Sequence, residues 1–188
     1  AMARACAKLI PDGASLFLNI GTTTEAVAHA LMQHRNLMVV TNNMNVANIL
    51  LANPSCEIMV AGGALRRTDG GLVGELTTRF FEQFKVDFAV IGTSALDLEG
   101  DLLDFDLAEV RVSRAILDQA RQAFVVADHS KLGRSAPARI ASLAEIDAVF
   151  TDAPFPLRLA RASEGWKTRI VLAEPAPAIL PPAPPASA

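Results

Sequence analysis

The chain has 188 residues, of which 51% are apolar and 20% charged, with a net charge of −3 and a pI of about 5.6. That length and apolar content suit one large α/β domain, and the acidic balance excludes a nucleic-acid-binding surface within these residues. Cys6 and Cys56 form no paired motif and no histidine cluster accompanies them, so nothing calls for a structural zinc, another metal or a cofactor; a reduced, cytoplasmic setting is expected, without a signal peptide or an apolar run near the roughly 20 residues that span a bilayer.

Residues 1–10 read as the tail of a helix already under way, so a preceding segment is expected. Pro11-Asp12-Gly13 then turns the chain into its first strand. Short apolar, β-branched runs predict strands over residues 15–20, 37–41, 56–61, 88–92, 123–127, 148–151 and 167–172. Helical periodicity falls between them, over 24–33, 45–52, 76–84, 107–120 and 154–164, with a weaker pattern at 143–146. Continuous apolar strands alternating with helices imply an α/β fold with a mostly parallel sheet flanked by helices. One domain is expected over residues 1–173. Residues 174–188 carry Pro175, Pro177, Pro181, Pro182, Pro184 and Pro185 among alanines, the composition of a disordered or polyproline II tail.

In such sheets ligands bind beyond the carboxyl ends of the strands, and there the unusual residues collect. The first strand runs into Gly21-Thr22-Thr23-Thr24 at a helix start. Unpaired N–H groups, the positive end of the helix dipole and added hydroxyls make that turn a phosphate nest, although one threonine alone would serve as a cap. The second strand ends in Thr41-Asn42-Asn43, the third in Ala61-Gly62-Gly63 followed by Arg66 and Arg67, the fourth in Gly92-Thr93-Ser94 and the fifth in Asp128-His129-Ser130-Lys131. Together these ends describe a pocket for a small anionic polyol, with Arg66 and Lys131 as phosphate partners. Each has a plainer explanation: a tight turn at Gly62-Gly63, a cap at Thr41-Asn42, a solvated charge at Arg66 or Lys131. His129 reads as a loop residue, and His29 and His34 as helix surface. Asp106 and Glu109 lie three apart and share a helix face. They could complement the helix dipole, accept hydroxyl hydrogen bonds, or act as acid and base.

The ordered segments IGTTTEAVAHAL, VTNNMNVAN, AGGALRRTDGGLVGE, DFAVIGTSALD, FDLAEVRVSRAI and VVADHSKLGR resemble the C-terminal sensor domain of DeoR-family transcriptional repressors. The resemblance runs from about residue 4 to residue 152. Two segments, VTNNMNVAN and RRTDGGLVGE, lie nearest the branch that answers to glycerol-3-phosphate. The resemblance implies the fold of ribose-5-phosphate isomerase, glucosamine-6-phosphate deaminase and CoA transferases. It implies a helix-turn-helix domain ahead of Ala1, through which alone operator DNA is bound. It also implies an effector, glycerol-3-phosphate or a phosphosugar, that controls DNA binding. Gly21, Thr22, Thr23 and Lys131 would hold its phosphate, with Thr24 in the same turn. Thr41, Asn42, Gly62, Gly63, Arg66, Ser94, Asp106 and Glu109 would line the rest. Two-fold operators call for a homo-oligomer, a dimer or tetramer, and no membrane is involved.

One position departs from the family pattern. Family members commonly carry a lysine four residues after the helix-start glutamate, and here that position is Ser113. A sugar-phosphate isomerase on the same fold would need a lysine and a glutamate base where this chain has Asp104 and Ser113. Ser113 supplies no titrating group, so a sensor is expected, with no catalytic residue. A CoA transferase-like enzyme would need a glutamate nucleophile, for which Glu75 and Glu109 are the candidates. The loop over residues 66–74, with Asp69-Gly70-Gly71 at its centre, is the expected switching element.

Overall fold

A computed structural model describes residues 1–173, so the proline-rich segment from residue 174 onward lies outside the described residues. Helix α1 (Met2–Ala7) leads into β1 (Ser15–Leu18), α2 (Thr22–Ala30), β2 (Met38–Thr41), α3 (Met44–Leu50) and β3 (Glu57–Val60). A small hairpin of β4 (Ala64–Leu65) and β5 (Leu72–Val73) precedes α4 (Glu75–Phe81) and β6 (Val86–Ile91). The chain continues through β7 (Ala95–Leu96), β8 (Asp101–Asp104), α5 (Leu107–Asp118), β9 (Ala120–Val126) and β10 (Ala138–Ser142). It closes with β11 (Ala148–Thr151), α6 (Leu157–Ala162) and β12 (Arg169–Leu172).

The seven apolar runs expected as strands form one sheet in the order β12-β11-β9-β6-β1-β2-β3, and every neighbouring pair is parallel. Alternation along each strand divides the core into two layers. Leu16 and Leu18 of β1 join Val39, Phe124 and Phe150 beneath α1, α2 and α3. Phe17 points the other way, into a layer with Phe81 of α4 and Val112 and Ile116 of α5. There Phe17 meets Phe81 edge-on, with ring centroids 5.0 Å apart; burying one such ring contributes roughly 2–3 kcal/mol.

Three features depart from the sequence-based expectation. A three-stranded antiparallel sheet, β10-β8-β7, stands beside the main sheet, built from a two-residue strand and two strands whose apolar pattern is broken by Asp101, Asp104 and Arg139. The weak pattern at 143–146 forms a single 3-10 turn over Leu143–Glu145, held by a Ser142/Glu145 capping box. His34 is not helix surface: its Nε2 lies 3.1 Å from the Ala7 carbonyl and 3.0 Å from that of Ile10, tying the end of α1 to the segment after α2.

β1 sits at the centre of the topology. The chain moves outward from it through β2 to β3, then returns to its other side at β6 and continues through β9, β11 and β12. The gap above β1 and β6 is therefore the point where strand order reverses, the usual ligand crevice of an open α/β sheet.

Candidate functional site

Gly21 carries the chain from β1 into α2. Its φ of +132° belongs to the region that favours glycine, and it caps the helix with no side-chain hydrogen bond. The first N–H groups of α2 are thus left without a side-chain acceptor, beside an exposed Thr22 and a half-exposed Thr23. Thr24 is different. Its fully buried hydroxyl donates to the carbonyls of Asn19 (2.8 Å) and Gly21 (2.7 Å), locking the turn from below. The expectation that Thr24 offers a hydroxyl to a ligand is corrected: both of its contacts are to the turn's own carbonyls.

Thr41 is corrected in the same way. Its hydroxyl donates to Leu18 O at 2.7 Å and accepts from Asn43 N at 3.0 Å, stitching β2 to β1 inside the core. Asn42 is 1% exposed and donates from Nδ2 to Leu72 O at 2.9 Å, while its backbone carbonyl accepts from Leu72 N at 2.7 Å and its side-chain Oδ1 is buried without a partner among the described residues. Both residues organise the site from behind rather than face it. Asn43, the last residue of the same strand end, caps α3 through Oδ1 and donates from Nδ2 to Asn19 O and Glu25 Oε1.

Gly62 and Gly63 are explained by packing. Gly62 O accepts a hydrogen bond from the Thr77 hydroxyl at 2.7 Å. Gly63 has φ +147°, and a Cβ there would lie 2.2 Å from Thr77 Oγ1 and 2.8 Å from Val73 O. The turn launches a strap, residues 64–73, that crosses the carboxyl ends of the central strands. On one side the strap is laced to the start of α3: Leu72 to Asn42, Asn43 to Gly71 in an isolated bridge, Met44 N to Gly70 O at 3.0 Å, and Asn45 Nδ2 to Asp69 O at 3.4 Å. At its centre, a Cβ on Gly71 would stand 2.3 Å from Ile20 Cδ1, so the strap lies directly on the end of β1.

On its other side the strap reaches α5 through Arg66. Nη1 donates to Asp106 Oδ2 at 2.8 Å, Nη2 meets Glu109 Oε2 at 2.9 Å and also Asp69, and Nε donates to Asp69 Oδ1 at 3.3 Å. Every guanidinium nitrogen already has a carboxylate. Arg66, expected as a phosphate clamp, is in this structure the pin between strap and helix. Burial works against its charge, but the hydrogen bond to Asp69 and the charge of Glu109 outweigh it and hold its pKa above the ordinary value. In Asp69 burial is again outweighed, by the Arg66 and Gly71 hydrogen bonds, and its carboxyl is held below the usual range. Glu109 goes the other way: burial, then the negative charge of Asp104, raise its pKa despite Arg66.

Asp106 also caps α5, accepting from Ala108 N at 2.8 Å. Its own N–H donates to Asp104 Oδ1 at 3.0 Å, and the other oxygen of that 4%-exposed carboxylate accepts from Ser94 Oγ at 2.7 Å. Ser94 follows Gly92, whose N–H donates to Asn19 Oδ1 at 3.1 Å and where a Cβ would come within 3.1 Å of Thr23 Oγ1. A closed circuit results: Gly21–Thr23, Gly92, Ser94, Asp104, Asp106, Arg66, Asp69, Gly71 and back to Ile20. It surrounds the carboxyl ends of β1 and β6, where strand order reverses. Below it, Asn19 Nδ2 lies 3.4 Å from the buried Ser113 hydroxyl, so the residue that departs from the family lysine sits in the floor.

Lys131 lies in a 3-10 turn after β9, half-buried. The next residue, Leu132, bridges Leu96 of β7, the short strand that starts directly after Ser94. The turn that carries Lys131 is thereby attached to β7. His129 beside it is engaged elsewhere, with N–H to Asp152 Oδ1 at 2.6 Å and Nδ1 3.0 Å from Oδ2. The sequence gives no sign of Asn19 as a site residue; Asn43, Asp69 and Asp104 stand in its polar strand end, its flexible loop and its acidic segment, but nothing there assigns them to the site.

Comparison with known proteins gives consistent matches. The family model described as the DeoR C terminal sensor domain matches residues 1–153. The glycerol-3-phosphate regulon repressor of Escherichia coli is 51% identical over 156 residues, covering 83% of this chain and 62% of the relative. The repressor of the same name from Haemophilus influenzae is 48% identical over 171 residues, covering 91% of this chain and 66% of its own. The chain thus spans a little under two thirds of these relatives. Solved structures share the fold at low identity. The eIF2B delta subunit of Chaetomium thermophilum aligns with a TM-score of 0.59 and 15% identity over 82% of this chain and 55% of that one. A ribose-5-phosphate isomerase in complex with phospho-erythronic acid aligns at 0.51 and 18%, over 70% of this chain and 51% of its own.

Proposed function

The chain belongs to the family of DeoR C-terminal sensor domains, and we propose that it is the effector-sensing part of a repressor, binding a small phosphorylated metabolite in the crevice ringed by Gly21–Thr23, Ser94, Asp106, Arg66 and Gly71. Glycerol-3-phosphate is the effector favoured by the similarity to the glycerol-3-phosphate regulon repressors. The observation that carries this reading is the convergence, at the point of strand reversal, of a helix start that lacks a side-chain cap with hydroxyl and carboxylate side chains from the segment after β6, from residues 104–109 and from the strap. The phosphate sits at the N–H groups and hydroxyls of Thr22 and Thr23, with Lys131 at the rim. The polyol end faces Ser94, Asp106 and Glu109. Binding acts on DNA through the strap, which joins the crevice to α5 by way of Arg66; an effector with different affinity for the two strap positions shifts their balance.

The arrangement argues against turnover. Arg66 engages Asp106 and Glu109, and Ser113 is buried beneath Asn19, so a proton-transfer base is not free at the crevice. Calorimetry with glycerol-3-phosphate tests the reading. Lys131→Ala is expected to weaken binding about tenfold with an unchanged circular dichroism spectrum. Unchanged affinity in that variant would remove Lys131 from the site, and turnover of ribose-5-phosphate would overturn the sensor assignment.

A further inference from the structure

We propose that Asp106 and Glu109 restrict the effector to molecules with a single anionic group, a phosphate at one end and uncharged hydroxyls at the other, and exclude those bearing a second carboxylate or phosphate. The inference rests on the effector reading above and adds to it a rule of selection. The circuit is polar in the electrical sense. Its Gly21–Thr23 end presents N–H groups and the positive end of α2, a nine-residue helix. Its opposite end presents Asp69, Asp106 and Glu109 around the single guanidinium of Arg66, with the buried carboxylate of Asp104 directly behind Asp106.

The arginine has little left for a second anion: four of its five N–H groups already meet carboxylates, and its single positive charge is shared among Asp69, Asp106 and Glu109. Negative charge is in surplus here, and Glu109 registers it: burial and the charge of Asp104 raise its pKa in spite of the arginine alongside. Hydroxyls suit this end. Carboxylates are acceptor-only groups with several lone pairs, and a polyol supplies donors to them. A second anion instead meets like charges in a partly dehydrated cleft. There the repulsion exceeds the roughly 1.4 kcal/mol that corresponds to a tenfold loss of affinity.

Two matched pairs of ligands, titrated calorimetrically into the chain as it stands, provide the test. They are glycerol-3-phosphate with 3-phosphoglycerate, and glucose-6-phosphate with 6-phosphogluconate; the second member of each adds a carboxylate to a similar skeleton. In whichever pair binds, the single-anion member is expected to bind at least about tenfold more tightly. The double variant Asp106→Asn/Glu109→Gln is expected to shrink that ratio by about tenfold, and Asn keeps the α5 cap because it caps as well as Asp. If the double variant does not fold, Glu109→Gln alone must still narrow the ratio. Equal affinities within a pair, or a ratio unmoved in both variants, overturns the selection rule while leaving effector binding standing. Failure of every ligand to bind overturns both.

Discussion

Replacing Arg66 by methionine keeps much of the aliphatic stem and removes the charge that pins the strap to α5. Three carboxylates lose their shared cation, and they are not equally exposed: side-chain exposure is 33% for Asp69, 40% for Asp106 and 17% for Glu109. Asp106 rehydrates readily and contributes no more than about 1 kcal/mol, as exposed pairs do. Glu109 is the costly one, because a buried charge left without its partner loses about 1–3 kcal/mol. The expected destabilisation is therefore about 2 kcal/mol at pH 7.5. It also depends on pH in a definite direction. The raised pKa of Glu109 means that the folded state holds this proton more tightly than the unfolded state. Its contribution to stability thus falls as pH rises from the ordinary glutamate value near 4.3 through the raised folded value. Without Arg66 that value rises further, so the variant's deficit is larger at pH 7.5 than at pH 4.5. The lowered carboxyl of Asp69 has the opposite sign: its stabilisation is present above the ordinary aspartate value and is lost as pH falls through the lowered one. Some deficit therefore remains at pH 4.5. Urea denaturation of both proteins at the two pH values measures the difference. A deficit below about 0.5 kcal/mol at pH 7.5, or the same deficit at both, would refute the pin.

Gly63→Ala is expected to cost about 2–4 kcal/mol, combining a backbone conformation that alanine disfavours with the clash against Thr77 and Val73; a urea midpoint close to that of the parent would contradict the packing explanation. Thr24→Val removes a hydroxyl buried between two carbonyls and should cost about 1–3 kcal/mol. Thr22→Val, at an exposed position, should instead spare stability and weaken effector binding, and a reversal of that pattern in paired denaturation and calorimetry would exchange the two roles. The hydrogen bond and charge of Asp152 raise the pKa of the fully exposed His129. Their stabilisation is complete below the ordinary histidine value of about 6.5 and fades as pH climbs through the raised value. The Tm difference between the parent and His129→Ala should shrink between pH 6 and pH 8.5, and a constant difference would mean that the pair is idle.

Much of the molecule was readable from local pattern. The seven strands of the main sheet were legible because strand segments buried on both faces are continuous apolar runs, as Leu16–Leu18 of β1, Phe88–Ile91 of β6 and Ala123–Val126 of β9 are. The strand ends with Gly21, Gly62-Gly63 and Gly92 stood out for the same reason, as polar and glycine interruptions next to apolar runs. Element boundaries were less legible. α2 begins at Thr22, two residues earlier than its apolar period suggested, because Gly21 caps it through backbone geometry alone. The two-residue strands β4, β5 and β7 carry no period to detect, and β8 and β10 are broken by Asp101, Asp104 and Arg139, so the hairpin and the β10-β8-β7 sheet were not legible.

By itself, then, the sequence determined the alternation of strand and helix, the edge of the sheet where polar residues gather, and a resemblance strong enough to name a family. Those are local properties, written in a periodicity of a few residues. Tertiary structure alone decided what each polar side chain does. It turned the hydroxyls of Thr24 and Thr41 into the core while leaving Thr22 exposed. It also brought Arg66 to Asp106 across 40 residues of sequence, making a pin of a residue that composition would assign to phosphate. The physical reason is that a charge or hydroxyl takes whichever partner the crossovers bring within about 3 Å, and no local pattern encodes that distance.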